Sequence, residues 1–373
     1  MTVIYQNFAE NFKELSQTTV GDRTTLVEGQ RAYIINGQPY FCNVHFERVS
    51  ESWMTHEVLQ RHFKSNTALQ KRIWAGTAGE VNLAYITATK APAAILFDIN
   101  PFQTLFWNKF FTFVSETPDH QEFAQKSQQF IKEFYYDLSN QFNLASIQKD
   151  HPGLHMKAPV TQQYNQEGFI SSPIRNMTYR DFYQQIRGYL GWKEIGFTSC
   201  ADKDLQWIAN KENYTHLHLM AKNNAVAAVT LDISDTPSCE QLRYALEHAT
   251  YKPAHIIKGD IKACSPTRQG ALIENMYLSN ILYYFDYSVE EIEKCQKEGA
   301  KPQDFTGNEV SPKSLTTTLD NLRSLVCEDA AVLRFDALHN PKAHFTNFSP
   351  LLKGEGEDIN IPRANEVGGL APL

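Results

Sequence analysis

Two glycines and an acid raise the first chemical question. In KRIWAGTAGEVNLAYITATKAPAAILFDINPFQ, residues 71–103, Gly76 and Gly79 precede Asp98 by about twenty residues, the separation of a nucleotide-type strand–helix–strand unit. Glycines let a backbone approach a ligand closely, and an acid ending the second strand can accept from two ribose hydroxyls. Asp98 interrupts an apolar run where a carboxylate needs a partner, so a ligand at the strand's end explains it and a helix cap is the competing reading. Asn100 is a turn former beside it, and Pro101 is suited to open the next helix.

Such residues need a scaffold to hold them. Alternation around Asn36-Gly37 predicts a β-hairpin within 26–48, followed by short amphipathic helices. Residues 1–70 thus read as an N-terminal extension of hairpin plus helices, and 71–345 as the ligand-binding domain. A mainly helical insertion, 101–215, interrupts that domain and carries the long loop KDHPGLHMKAPVTQQYNQEGF. Alternation returns over 215–233, with a hairpin expected around Asn223-Asn224, and Ser234 or Asp235 is placed to cap a helix at Pro237. HIIKGDI reads as a strand ending on Asp260, NMYLSNILYYFD as a strand entering a helix, and SLTTTLDNLRSLVCEDA and AAVLRF as helix and strand. Residues 346–373 read as an exposed acidic tail, either a plain terminus or a secretion or partner signal.

Composition narrows the function. The chain has 373 residues, 42% of them apolar, a net charge of −7 and six cysteines with no CxxC pair. This predicts a self-folding chain with reduced thiols in the cytoplasm, and argues against a protein that tracks nucleic-acid phosphates. No window approaches the roughly 18 apolar residues of a membrane span.

Three stretches carry a family likeness: GTAGEVNLAYI, DINPFQ and YLSNILYYF. With them the chain resembles class I S-adenosylmethionine-dependent methyltransferases, and within these the group of S-adenosylmethionine:diacylglycerol 3-amino-3-carboxypropyltransferases and related methyltransferase-like proteins. The likeness covers 73–125 and 255–335. It implies an α/β fold, a Rossmann-like class I methyltransferase sheet, with S-adenosylmethionine as co-substrate. It implies a cofactor site from Gly76, Thr77, Gly79, Glu80, Asn82, Asp98 and Asn100, with Asp260 and Ile261 meeting the adenine and Asp232 a rival for that acid. Ser279, Asn280 and Tyr283 would then line the reacting centre. Ala75, Thr77 and Ala78 stand where a richer glycine pattern is usual, and Trp74 is bulky beside a cofactor.

The expected function is transfer of methyl to an acceptor that the sequence does not name, a small or lipid-like molecule fitting the resemblance. The alternatives are aminocarboxypropyl transfer, or an inactive methyltransferase-like module that binds a protein. Candidate bases are His151, His155, His248 and His255, each also readable as an ordinary surface or core histidine. The HLH at 216–218 would put two imidazoles on one strand face, without a third ligand at metal spacing, so no metal site is expected.

Overall fold

The computed structural model describes residues 2–16, 34–35, 38–42, 67–77, 81–98, 101–141, 171–173, 211–257, 260–279, 312–335, 343–347 and 357–359. In chain order these form β1 (Thr2–Gln6), α1 (Lys13–Ser16), β2 (Ile34–Ile35), β3 (Gln38–Cys42), β4 (Trp74–Thr77), α2 (Val81–Ala88), β5 (Ala94–Asp98), α3 (Pro101–Glu116), α4 (His120–Gln141) and β6 (Ser171–Pro173). There follow α5 (Lys211–Lys222), β7 (Val226–Thr230), α6 (Thr236–Glu247), β8 (Thr250–Ile257), β9 (Asp260–Cys264), β10 (Arg268–Gln269), β11 (Ile273–Ser279), α7 (Pro312–Leu325), β12 (Val326–Phe335), β13 (Ala343–Asn347) and β14 (Glu357–Ile359).

The apolar runs at 74–77 and 94–98 are strands buried on both faces, as a parallel sheet requires. They lie in a seven-stranded sheet of order β14-β13-β12-β11-β4-β5-β7. From β12 to β7 every neighbouring pair is parallel, and β13 and β14 extend the sheet by antiparallel pairing. The chain builds outward from β4 through β5 to β7, then returns to β11 on the other side of β4 and builds outward to β12. That reversal makes the gap between β4 and β11 the topological switch point, where ligands bind beyond the carboxyl ends of such strands. The fold is the Rossmann-like α/β sheet expected from the sequence.

Helices cover both faces. On one, Ala75, Ile95, Phe97 and Met276 join a buried cluster with Leu242 and Leu246 of α6 and Leu322 and Leu325 of α7. Trp74 and Tyr277 point to the other, where Tyr85 of α2 lies between them with centroid distances of 5.1 and 5.7 Å. Against β7 packs α3, whose Asn108 imitates a neighbouring strand. Its Oδ1 accepts from Ala228 N–H at 3.1 Å and its Nδ2 donates to Ala228 C=O at 3.1 Å.

Several expectations change. The segment around HLH is helix α5 rather than a hairpin arm. Eight of its residues are buried around nearly the whole circumference, so the 3.6-residue period is erased and His-Leu alternation imitates a strand. The two imidazoles bond different carbonyls, His216 Nε2 donating to Ala91 at 3.0 Å and His218 Nδ1 to Val114 at 2.8 Å. Asn224 has φ 52° in the turn that ends α5, which is why Asn223-Asn224 resembles a hairpin signal.

Residues 2–12, read as part of an extension, belong to the main body. Phe8 and Phe12 are fully buried in the cluster beneath the large sheet. β1 pairs antiparallel with β8 in a four-stranded sheet with β9 and β10. Backbone bonds from Tyr5 to Pro92 and from Asn7 and Ala9 to Asn223 and Asn224 fasten β1 and the turn after it to the loops that feed the amino ends of β5 and β7. The expected hairpin around residues 36 and 37 is flanked by the β2–β3 pair. Within the expected tail, residues 357–359 form an outer strand paired with β13. The long loop in 149–169 lies outside the described residues.

Candidate functional site at the carboxyl edge of the sheet

The parallel strands deliver their last residues to one edge. β4 ends at Thr77, and Asn82 from the first turn of α2 ties that strand end back to the helix. Asn82 is fully buried, its Nδ2 donates to Thr77 C=O at 2.5 Å, and its Oδ1 accepts from the Trp74 indole at 2.9 Å. Both ends of the Asn82 amide are thus used by the chain itself. Trp74, bulky in the sequence, is fully buried and stacks on Tyr85 of α2.

Next to β4, β5 ends at Asp98, partly exposed after four buried residues. Its carbonyl accepts from Leu231 N–H at 2.9 Å, which holds the exit of β7 beside it. Thr230, paired with Asp98 across the ladder, donates to Thr104 Oγ1 at 3.1 Å, joining this edge to the first turns of α3.

Two residues beyond β7 stands Asp232, half-buried. Its Oδ1 accepts from Ser234 N–H at 2.9 Å and Ser234 Oγ at 2.6 Å. Asp235 is the helix cap, its carboxylate accepting from Ser238 N–H at 2.9 Å with Pro237 in the first turn, so of the two expected caps Asp235 serves and Ser234 holds Asp232 instead. Asn321 of α7 donates to Ile233 C=O at 3.0 Å and steadies the same loop. Cys239 lies below it, and burial followed by the charges of Asp232 and Asp235 pushes its thiol up to about 12. It stays protonated, which removes thiolate chemistry from this loop.

On the far side of the switch point, β11 ends at Ser279, beyond the Tyr277–Gly76 register pair. Thr77, Asp98, Asp232 and Ser279 therefore leave the sheet along one edge. Asp260 and Ile261 do not. They open β9 in the four-stranded sheet, and Asp260 pairs with Ile257, at the end of β8 opposite Lys252. Lys252 pairs with Gln6, whose side chain bonds Asn223 at the amino side of β7. The two rivals for the adenine acid thus stand in different sheets, Asp232 just after β7 of the large sheet and Asp260 at the start of β9 in the four-stranded one. Gly79, Glu80, Asn100, Asn280 and Tyr283 lie outside the described residues, as do His151 and His155. His255 is on β8 of the four-stranded sheet, and His248 ends α6 with Nδ1 donating to Tyr244 C=O at 2.9 Å.

A doubly wound, mainly parallel sheet with two acids at its carboxyl edge defines a Rossmann-like α/β protein. The chain belongs to the family described as "Domain of unknown function (DUF7790)", which matches residues 52–252. That stretch holds Gly76, Thr77, Asn82, Asp98 and Asp232 and ends before β9 and β11. No curated protein matches the chain. Among solved structures it is similar to the rRNA methyltransferase aviRa from Streptomyces viridochromogenes, at 11% identity and a TM-score of 0.33, over 89% of this chain and 95% of that one. At that score the likeness carries no argument, and the fold rests on the strand order given above.

Proposed function

We propose that this protein is an S-adenosylmethionine-dependent transferase that moves the methyl group to an acceptor bound beside the end of β11. The observation that supports it is Asp98, a partly exposed carboxylate on an otherwise buried strand, next to the switch point of a parallel sheet. The donor set fits the cofactor. Asp98 has the acceptor capacity for both ribose hydroxyls, and Asp232, held by Ser234 through one oxygen, has a second oxygen for the adenine amine. The N-terminus of α2, from Val81, would supply backbone N–H groups to the carboxylate end. Bound there, the cofactor supplies a sulfonium carbon for attack. The contribution of the chain is to hold donor and acceptor in line, with Ser279 at the position nearest the acceptor.

Isothermal titration of S-adenosylmethionine and S-adenosylhomocysteine into wild type and Asp98→Ala tests this. The expected result is binding that the variant weakens at least tenfold, about 1.4 kcal/mol. A folded wild type that binds neither ligand overturns the reading and leaves an interaction module. In turnover assays, S-adenosylhomocysteine as product marks methyl transfer, and methylthioadenosine marks aminocarboxypropyl transfer.

A further inference from the structure

Gly76 looks like a glycine placed for a ligand, but its surroundings give another reason. Its φ is not in the left-handed region, so any residue could adopt its backbone and space alone demands glycine. A Cβ at this position would stand 1.8 Å from Oδ1 and 2.7 Å from Cγ of Asn82. The Asn82 amide occupies that space because it is bonded on both sides, to the indole of Trp74 at 2.9 Å and to the carbonyl of Thr77 at 2.5 Å. Trp74 is itself fully buried and stacked on Tyr85. The ends of the short connection between β4 and α2 are therefore joined by one side chain, and that side chain is braced from behind by a tryptophan.

We propose that Asn82 is a positioning residue, which with Trp74 holds the carboxyl end of β4 at Thr77 against the first turn of α2, where S-adenosylmethionine would bind, and that Gly76 is glycine to admit it. The cofactor part rests on the transferase reading above. The coupling of Gly76 to Asn82 does not.

The test is a melting and binding cycle on the full chain with G76A, N82A, the double variant G76A/N82A, and N82D. The atoms nearest to a Cβ added at Gly76 all lie beyond Cβ of Asn82, so N82A clears the space. G76A should lower the melting temperature of wild type strongly and that of N82A little. Additive losses overturn the coupling. In titrations, N82D keeps an acceptor for the indole but sets a carboxylate oxygen against Thr77 C=O. It should retain the Trp74 indole N–H resonance and yet bind S-adenosylmethionine at least tenfold more weakly. Binding by folded N82D and N82A equal to wild type overturns the positioning role. Failure of wild type itself to bind overturns the transferase reading and the positioning role together, and the melting cycle then reports on the coupling alone.

Discussion

His216 shows what a single buried side chain costs and contributes. Burial first, and the charge of Lys90 second, hold its imidazole down at about 3, against 6.5 in an open chain, while the Ala91 carbonyl opposes them. Lys90 is in turn bonded to Asn213 and paired with Glu212 of the same helix. Between pH 6.5 and about 3 the unfolded chain binds a proton that the folded one refuses, so stability falls as pH falls through that window and is insensitive to this group above it. Between pH 7.5 and pH 5 the expected loss is about 2 kcal/mol, measured by denaturant unfolding, and His216→Gln should remove most of it. An unchanged loss in the variant would mean that other groups govern the slope. At this scale Asp98 is legible in the sequence because an acid at the end of an apolar run contradicts its surroundings. Asn82 is only half legible. Its place after the glycine turn marks it, but that its amide faces inward depends on Trp74, whose partner no linear pattern names.

Between elements, the informative contact is the amide of Asn108 on the rim of β7. A strand edge exposes donors and acceptors, and here one side chain meets both groups of Ala228. Asn108→Ala should cost about 1–3 kcal/mol and speed hydrogen exchange at the Ala228 amide, with Asn108→Asp intermediate because it keeps the acceptor. Exchange at Ala228 as slow as in wild type would show that packing of α3 alone covers the edge. The elements themselves are unevenly readable. β4, α2 and β5 stand out because strand composition, a glycine-bearing turn sequence and an acid-ended second strand follow at regular distances, even though α2 is buried over 82–87. α5 reads as a strand because a helix buried on nearly all sides shows no polar face, leaving only an accidental alternation. The sheet to which each of Asp232 and Asp260 belongs is hidden for the same kind of reason, because nothing linear tells that α6 leads into a separate sheet before the chain returns as β11.

For the whole molecule, the residues before the glycine turn matter more than their place in the chain implies. Phe8 and Phe12 fill the face of the large sheet also covered by α6 and α7, and β1 ties the four-stranded sheet to the loops below β5 and β7. Phe12→Ala should destabilise by about 3–5 kcal/mol, and a chain lacking residues 2–12 should lose its cooperative unfolding transition. A sharp, near-native melt of the shortened chain would return those residues to the status of an extension.

The pairing of β1 with β8 also sets a timetable. Gln6 is synthesised long before its partner Lys252, and Phe8 and Phe12 precede α6 and α7 by a similar or greater margin. At ordinary rates of translation this is a wait on the order of ten to fifty seconds, during which two aromatic side chains lack the surface they are destined to fill. The nascent chain must therefore carry a sticky segment while the residues between are made, and the yield of folded protein in a cell should depend on whatever shields that segment until α6 and α7 have emerged.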